Sequence, residues 1–359
     1  MSAKKRVVVA MSGGVDSSAA AALLCAQGFE VVGITLRLWA PSSWNDGEKF
    51  GSCCSPKDIA DAKEVCRKLG IPHYTMNMEE RFKEYVVDNF VNEYAVGRTP
   101  NPCVRCNAFV KFDTLLNYAT AMNAEYLATG HYAKIEGGRL YKAKDAAKDQ
   151  SYFLHMLGRR EIPRLMFPLG DMVKDQVRAA ASDAGLPNAC KADSQDVCFL
   201  EGRNYREFIK ERMPEGTAVK GLIKNSEGTI IGEHEGLPFY TIGQRGGLGI
   251  STGSRAFVIK KELESNTLVV GSADENLFSS CRVKSVKWCS GMAPDTMRAN
   301  VKIRYRHPGV ESEIISSGSD DAQIRFDVPQ SAVSIGQSAV FYDGDQVLGG
   351  GVIEDVCPA

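Results

Sequence analysis

Arg6-Val7-Val8-Val9-Ala10-Met11-Ser12-Gly13-Gly14-Val15-Asp16-Ser17-Ser18 runs from a short apolar strand, through a glycine–serine loop, into an Ala/Leu-rich helical segment at 17–27 that ends before Gly28. A strand–loop–helix junction of this kind is where open α/β sheets bind ligands. Gly13 and Gly14 let backbone approach an anion, and the helix N-terminus offers unpaired N–H groups at the positive end of a dipole. Ser12, Ser17 and Ser18 add hydroxyls. Asp16 alone would repel a phosphate, so a bridging Mg²⁺ is its natural partner. The loop lacks both the Gly-Lys-Ser/Thr ending of a γ-phosphate loop and the G-x-G-x-x-G of dinucleotide binding. The bland alternative is a Gly/Ser turn that only caps a helix.

Outward from the loop, short apolar runs alternate with helical patterns. Strands are expected at 6–10, 30–38, 71–76 and 126–129. Helices are expected at 17–27, 56–69, 79–96 and 107–122, with Pro56 starting the second and Gly70 just past its end. This rhythm predicts an α/β N-terminal domain with a doubly wound parallel sheet. Past residue 203 the pattern becomes short alternating segments broken by turns such as Asn225-Ser226-Glu227-Gly228, as in small antiparallel β domains. The division expected is 1–203 for a nucleotide-binding catalytic domain, 204–279 for a small central domain and 280–359 for an antiparallel β-barrel. Ile242–Gly253 reads as a long functional loop.

Lys and Arg total 43 against 44 Asp and Glu, so any basic footprint for a nucleic acid must be local. Val7–Ala10 is too short for a signal-peptide core and no stretch approaches a membrane span. The expectation is a cytoplasmic protein, a monomer without membrane contact. Its 11 cysteines then read as reduced thiols.

Two cysteine segments draw chemistry. In Thr99-Pro100-Asn101-Pro102-Cys103-Val104-Arg105-Cys106-Asn107, Cys106 is read as lying beside an N-cap, Asn107, where a helix dipole favours the thiolate. The alternative is half of a zinc site, but no second Cys-x-x-Cys or paired histidines accompany it. Cys198, in the segment 193–200, could be an ordinary core cysteine, as Cys25, Cys66 and Cys190 are read. Cys53 and Cys54 are read as loop packing. In 298–306, strict alternation puts Arg298, Asn300, Lys302, Arg304 and Arg306 on one strand face, a candidate for phosphate contacts. The competing reading is a solvated outer face. Gln244-Arg245-Gly246-Gly247 is a second candidate contact.

The Ser12–Ser18 string resembles the pyrophosphate loop of ATP pyrophosphatases, which split ATP into AMP and pyrophosphate. SGGVDSS (12–18), GSCCSPKDIADAKEVCRKLGIP (51–72), TPNPCVRCNAFVKF (99–112), ATGHYA (128–133), KDQSYFL (148–154), DSQDVCFL (193–200), IGQRGGLGI (242–250) and KIRYRH (302–307) together resemble, in order and over nearly the whole chain, the bacterial tRNA-specific 2-thiouridylases. The resemblance implies an adenine-nucleotide-hydrolase-like first domain, a small central domain and a C-terminal barrel. The implied reaction replaces O2 of the wobble uridine in lysine, glutamate and glutamine tRNAs by sulfur, with a persulfide brought by an upstream donor.

By the same resemblance, Ala10, Met11, Ser12, Gly13, Gly14, Val15, Asp16 and Ser17 would hold ATP, with Leu36 and Gly130 on its adenine and ribose side. Cys106 would be the nucleophile and Cys198 the persulfide carrier. Asn101, Pro102 and Cys103 would face the target base. His131, Lys148, Asp149, Gln150, Arg304, Tyr305 and Gln337 would contact tRNA. Many members carry Asp where this chain has Cys103. That departure brings Cys103, Cys106 and Cys198 into question as ligands of a [4Fe-4S] cluster, a hypothesis held beside the thiol chemistry.

Overall fold

The computed structural model describes residues 4–39, 55–193, 197–200, 202–250 and 255–359, so Cys53, Cys54, Ser194–Asp196 and Ser251–Gly253 lie outside the described residues. Contacts divide the chain into two units. One is built from the segments up to Val87, from Pro102 to Arg203 and from Asp345 to Val347; the other holds Asp88–Asn101, Asn204–Gly344 and Leu348–Ala359.

The first unit is organised by β1 (Arg6–Ala10), β2 (Glu30–Arg37), β3 (His73–Asn77) and β4 (Tyr126–Ala128). A separate hairpin of β5 (Lys134–Glu136) and β6 (Arg139–Tyr141) precedes β7 (Leu165–Met166). The main sheet runs β3-β2-β1-β4-β7, every pair parallel. Because β2 and β4 flank β1 on opposite sides, the crevice of the strand-order reversal opens beyond the carboxyl ends of β1 and β4. Val7 and Val9 of β1 pack with Ala20, Ala21 and Leu24 of α1 (Val15–Ala26), and with Val65 and Cys66 of α2 (Pro56–Leu69), in one core.

The start and stop signals of α2 act as expected. Ser55 accepts from the Asp58 amide, Asp58 returns the bond to Ser55, Pro56 opens the first turn, and Gly70 closes it with φ +68°. Two other helices depart from expectation. The helix over 79–95 has a π-helical stretch at Lys83–Asp88. The helix expected to begin at 107 begins at Pro102 and runs to Ala121, with a π-helical stretch at Cys106–Phe112. Proline at the first helical position suits the start, since its missing N–H is one of those left unpaired there. Asn107 is therefore inside the helix rather than at its N-cap, and the dipole argument placed on Cys106 moves to the Cys103 end.

In the second unit, β8 (Gly221–Asn225), β9 (Ile230–His234), β10 (Phe257–Glu262) and β11 (Thr267–Gly271) form a four-stranded sheet in the order β10-β11-β8-β9. The rest of the chain supplies β12 (Leu277–Trp288), β13 (Thr296–Lys302), β14 (Val310–Ser316), β15 (Asp321–Ser331), β16 (Ser338–Asp343) and β17 (Gln346–Pro358). Pairing of β12 with both β15 and β17 closes these six into an antiparallel barrel. Its core holds Val283, Ala299, Val301, Ile303, Ile324 and Phe341. The expected architecture of parallel α/β sheet, small central domain and C-terminal barrel is the one observed.

Candidate active site

The Ser12–Ser18 loop occupies the crevice beyond β1, and two of its neighbours demand glycine. A Cβ on Gly13, which has φ +73°, would lie 2.2 Å from the Asp58 carbonyl oxygen at the start of α2. One on Gly130, just past β4, would lie 2.6 Å from the Ser17 amide nitrogen. Gly13 thus serves close packing against α2, while Gly14 has only the Ser12 hydroxyl nearby and is the open position of the pair. The serine hydroxyls brace the loop from within. Ser12 and Ser17 share a 3.1 Å hydrogen bond, and Ser18 donates to the Gly14 carbonyl at 2.9 Å. Met11 and Val15 are buried in the core beneath the loop, and Leu36 is buried near the end of β2.

Asp16 is the hub. One carboxylate oxygen accepts from the Tyr132 hydroxyl at 2.8 Å and from Lys174 Nζ at 2.7 Å. Lys174 also contacts Asp193 at 2.7 Å, and Asp193 is further held by Lys148 at 2.7 Å and Arg178 at 3.0 Å. Burial raises the Asp193 carboxyl, but hydrogen bonds from Lys148 and Lys174 outweigh it and hold the group below the usual carboxylate range. Burial, then the Asp16 charge, push the Tyr132 hydroxyl upward, so it remains a donor. Behind the loop, Asn188 donates to Gly13 O at 3.0 Å and to Ser18 Oγ at 2.9 Å. Lys191 reaches the same carbonyl at 3.1 Å while paired with Asp58 and Asp61. Sequence reading missed Tyr132, Lys174, Asn188, Lys191 and Asp193. The spacing of Lys174 and Arg178 on one face of the Lys174–Asp183 helix was the available signal.

The cysteine segments meet one helix. Phe199, next to Cys198, packs edge-on to Phe82 with ring centroids 5.9 Å apart, and Trp39 lies 6.4 Å from both rings. Three residues along, Tyr85 stacks on Phe109 of the Cys106-bearing helix, also at 5.9 Å. The helix starting at Glu79 therefore touches both segments. Cys103 is exposed, Cys106 is 7% exposed and Cys198 is half-buried. Among the described residues no three His, Cys, Asp or Glu side chains are grouped to hold a metal ion. Among these described residues Cys103, Cys106 and Cys198 do not form the grouped donor set of an iron–sulfur cluster, and Cys103 and Cys106 have no further ligands grouped with them for a zinc ion.

Several residues expected to touch tRNA make hydrogen bonds within the protein. Asp149 is buried, accepting from the amides of Ala143 and Ser151 and from the Ser151 hydroxyl. Gln150 Oε1 accepts from the Tyr132 amide at 2.9 Å, which fixes the residue that reaches Asp16. Gln337 donates to the carbonyls of Thr99 and Pro100 at 3.1 and 3.3 Å, holding the backbone just ahead of Asn101 and Pro102. Arg304 donates to Ser331 O at 3.1 Å. The basic strand ends at Lys302, because a turn closed by His307 N to Arg304 O takes 304–306 out of it. Ala299, Val301 and Ile303 do face inward as the alternation required. The outer face, however, is mixed: Arg298 pairs with Asp327, Asn300 with Glu311, and Arg325 with Glu313. For Arg298 the solvated ion-pair reading fits better than a basic stripe. Gln244 is folded into its own turn, accepting from Thr241 N and donating to Gly246 O, while Arg245 is exposed.

His131 lies with its ring 5.7 Å from Phe112 and Nδ1 at 2.7 Å from the Thr129 hydroxyl. Burial, with a smaller push from Lys111, drives its pKa down to about 3. Burial also drives His155 down to about 4, against a partly opposing bond to Tyr152 O. His155 is fully buried and His131 partly buried, and this setting favours the neutral ring in the folded chain, whereas the unfolded chain binds both protons near pH 6.5. The stability these rings contribute is therefore fully present above pH 6.5 and is lost as pH falls from there toward about 4 for His155 and about 3 for His131. Each ring contributes a slope approaching about 1.4 kcal/mol per pH unit. Imidazole nitrogen NMR is expected to show both rings uncharged at pH 5.5. Either ring titrating near 6.5 would refute the burial argument.

Three family models tile the chain. A tRNA methyl transferase HUP domain matches residues 5–202, a tRNA methyl transferase PRC-barrel domain 206–272, and an aminomethyltransferase β-barrel domain 278–353. Among curated relatives, the tRNA-specific 2-thiouridylase MnmA of Geobacter metallireducens is 46% identical, over 98% of this chain and 97% of that protein. The protein of the same name from Symbiobacterium thermophilum is 45% identical over 98% and 92%. That of Geotalea uraniireducens is 44% identical over 98% and 95%.

Proposed function

Since the chain belongs to the tRNA-specific 2-thiouridylase family, we propose that it activates O2 of the wobble uridine in lysine, glutamate and glutamine tRNAs with ATP and replaces that oxygen with persulfide sulfur. The reading rests above all on the helix starting at Glu79, which packs against both cysteine segments. Asp16 and the cations around Asp193 support a site for ATP at the neighbouring loop.

The chemistry needs two stages because the oxide at C2 cannot leave unaided. O2 attacks the α-phosphorus of ATP, pyrophosphate departs, and the oxygen becomes part of an AMP leaving group. The terminal sulfur of a Cys198 persulfide then attacks C2 and AMP departs, leaving a C2–S–S–Cys198 linkage. Cys106 thiolate attacks Cys198 Sγ, freeing the 2-thiouridine sulfur and forming a Cys106–Cys198 disulfide. The sulfane sulfur is reduced, the two thiols are oxidised, and an external dithiol restores them.

Lys174 and Lys148 are suited to steady the departing pyrophosphate, and Asn188 and Lys191 hold Gly13 in place behind it. Asp16 and Asp193, now joined by the Lys174 ammonium, are hard oxygen donors. With phosphate oxygens they fit a nucleotide-borne Mg²⁺, which would neutralise phosphate charge. No step here uses an iron–sulfur cluster, because the donor set does not fit one. An upstream protein persulfide is the proposed sulfur source.

The family models' descriptions speak of methyl transfer and the relatives' names of thiolation. The paired cysteine segments favour thiolation, since methyl transfer has no need of a second thiol. Nucleoside mass spectrometry of tRNA from a strain lacking the gene is expected to show loss of wobble 2-thiouridine. Unchanged nucleosides, or loss of a methyl group alone, would overturn the reading.

A further inference from the structure

The two π-helical stretches, Lys83–Asp88 and Cys106–Phe112, face each other through a reciprocal arrangement of two arginines and two rings. Arg105 Nε donates to Tyr85 O at 2.8 Å, and Arg81 Nε donates to Phe109 O at 2.9 Å. Each guanidinium also lies over the ring four residues on in its own helix, Arg81 over Tyr85 at 5.2 Å and Arg105 over Phe109 at 4.9 Å. The two rings stack on one another at 26°. Arg81 is in turn paired with Asp113, immediately after the second π stretch.

A π turn carries one residue more than an α turn and displaces its carbonyls from their usual donors. A donor from the opposite helix at Tyr85 O and at Phe109 O compensates for that displacement. Were the extra residue expelled, everything N-terminal to it would rotate by about 100° relative to 113–121. Cys103 and Cys106 lie in that N-terminal part. We propose that Arg81 and Arg105 are positioning residues whose crossed guanidinium caps hold the π register, and with it the buried setting of Cys106. The catalytic consequence rests on the role proposed above for Cys106; the conformational one does not.

The test compares Arg81→Met, Arg105→Met and the milder Arg81→Lys and Arg105→Lys, all in the full chain. Iodoacetamide labelling under native conditions is followed at each cysteine by mass spectrometry. Cys106 labelling is expected to rise about tenfold in the Met variants, with Cys103, already exposed, changing less than about twofold. Lys variants, which keep charge and a donor but lose the planar Nε–H, should fall between. Thiolation kcat should drop about tenfold with the KM for ATP unchanged. Unchanged Cys106 labelling in the folded Lys and Met variants overturns the proposal. So does a parallel rise at Cys103, which would signal general loosening. If labelling responds as expected but Cys106→Ser still makes 2-thiouridine, the caps stand and the role of Cys106 falls.

Discussion

Lys174→Met is expected to slow tRNA-dependent pyrophosphate release by about a hundredfold to a thousandfold, the range seen when one preorganised donor to a developing charge is removed. The side chain is only 12% exposed and bridges Asp16 and Asp193. Its loss leaves two carboxylates without their shared cation beside an incoming triphosphate. The KM for ATP should therefore rise along with the fall in kcat, because Asp16 and Asp193 then repel phosphate. Folding stability should drop by about 1–3 kcal/mol, since the pair is only partly shielded from water. Lys174→Arg restores the charge and should recover part of the rate. Asp16→Asn should also abolish pyrophosphate release, for it removes the negative charge that pairs with Lys174 and that the proposed Mg²⁺ needs. A silent Asp16→Asn would favour a protein that binds tRNA without activating it.

Cys198→Ser and Cys106→Ser should separate the two stages of the reaction. Each is expected to reduce 2-thiouridine formation by about a thousandfold or more, while pyrophosphate release survives within about tenfold. The variants should differ in what accumulates. Without Cys198 there is no persulfide and tRNA remains adenylated or hydrolyses back to uridine. Without Cys106 the C2–S–S–Cys198 linkage has no resolving thiol, so tRNA should become covalently attached and be released by dithiothreitol. Normal turnover in both variants would favour a pyrophosphate-loop ligase delivering an amine, which needs neither cysteine. Cys103→Asp is the natural companion: exposed at the helix start, Cys103 is placed where a carboxylate is also favourable, so the helix should tolerate it.

Local rules carried a large part of the fold. Helix α2 formed over 56–69 because its cap, its proline and its terminal glycine all act within a few residues of one another. The parallel sheet followed from apolar runs alternating with helical periodicity, and the barrel core from strict alternation through Ala299, Val301 and Ile303. The same alternation failed as a guide to charge. The acids that partner Arg298 and Asn300, Asp327 and Glu311, come from β15 and β14 and are invisible to a reading of β13 alone. The helix start was misjudged at Asn107 for a related reason: a π stretch has no periodicity that distinguishes it from a slipped α pattern, and its Phe109 carbonyl is capped by Arg81 from another helix.

By itself the sequence determined that a glycine–serine loop joins the first strand to the first helix, where α2 starts and stops, and that a parallel α/β sheet precedes β domains. Each of these depends on glycine conformations, capping and side-chain period, which operate over a turn or a strand. Only the tertiary structure decided what surrounds Asp16. Tyr132 and Lys174 come from 116 and 158 residues away, and Asn188 reaches Gly13 across 175. No local preference encodes such meetings, because they form only when packed elements have excluded water and left polar groups to find one another.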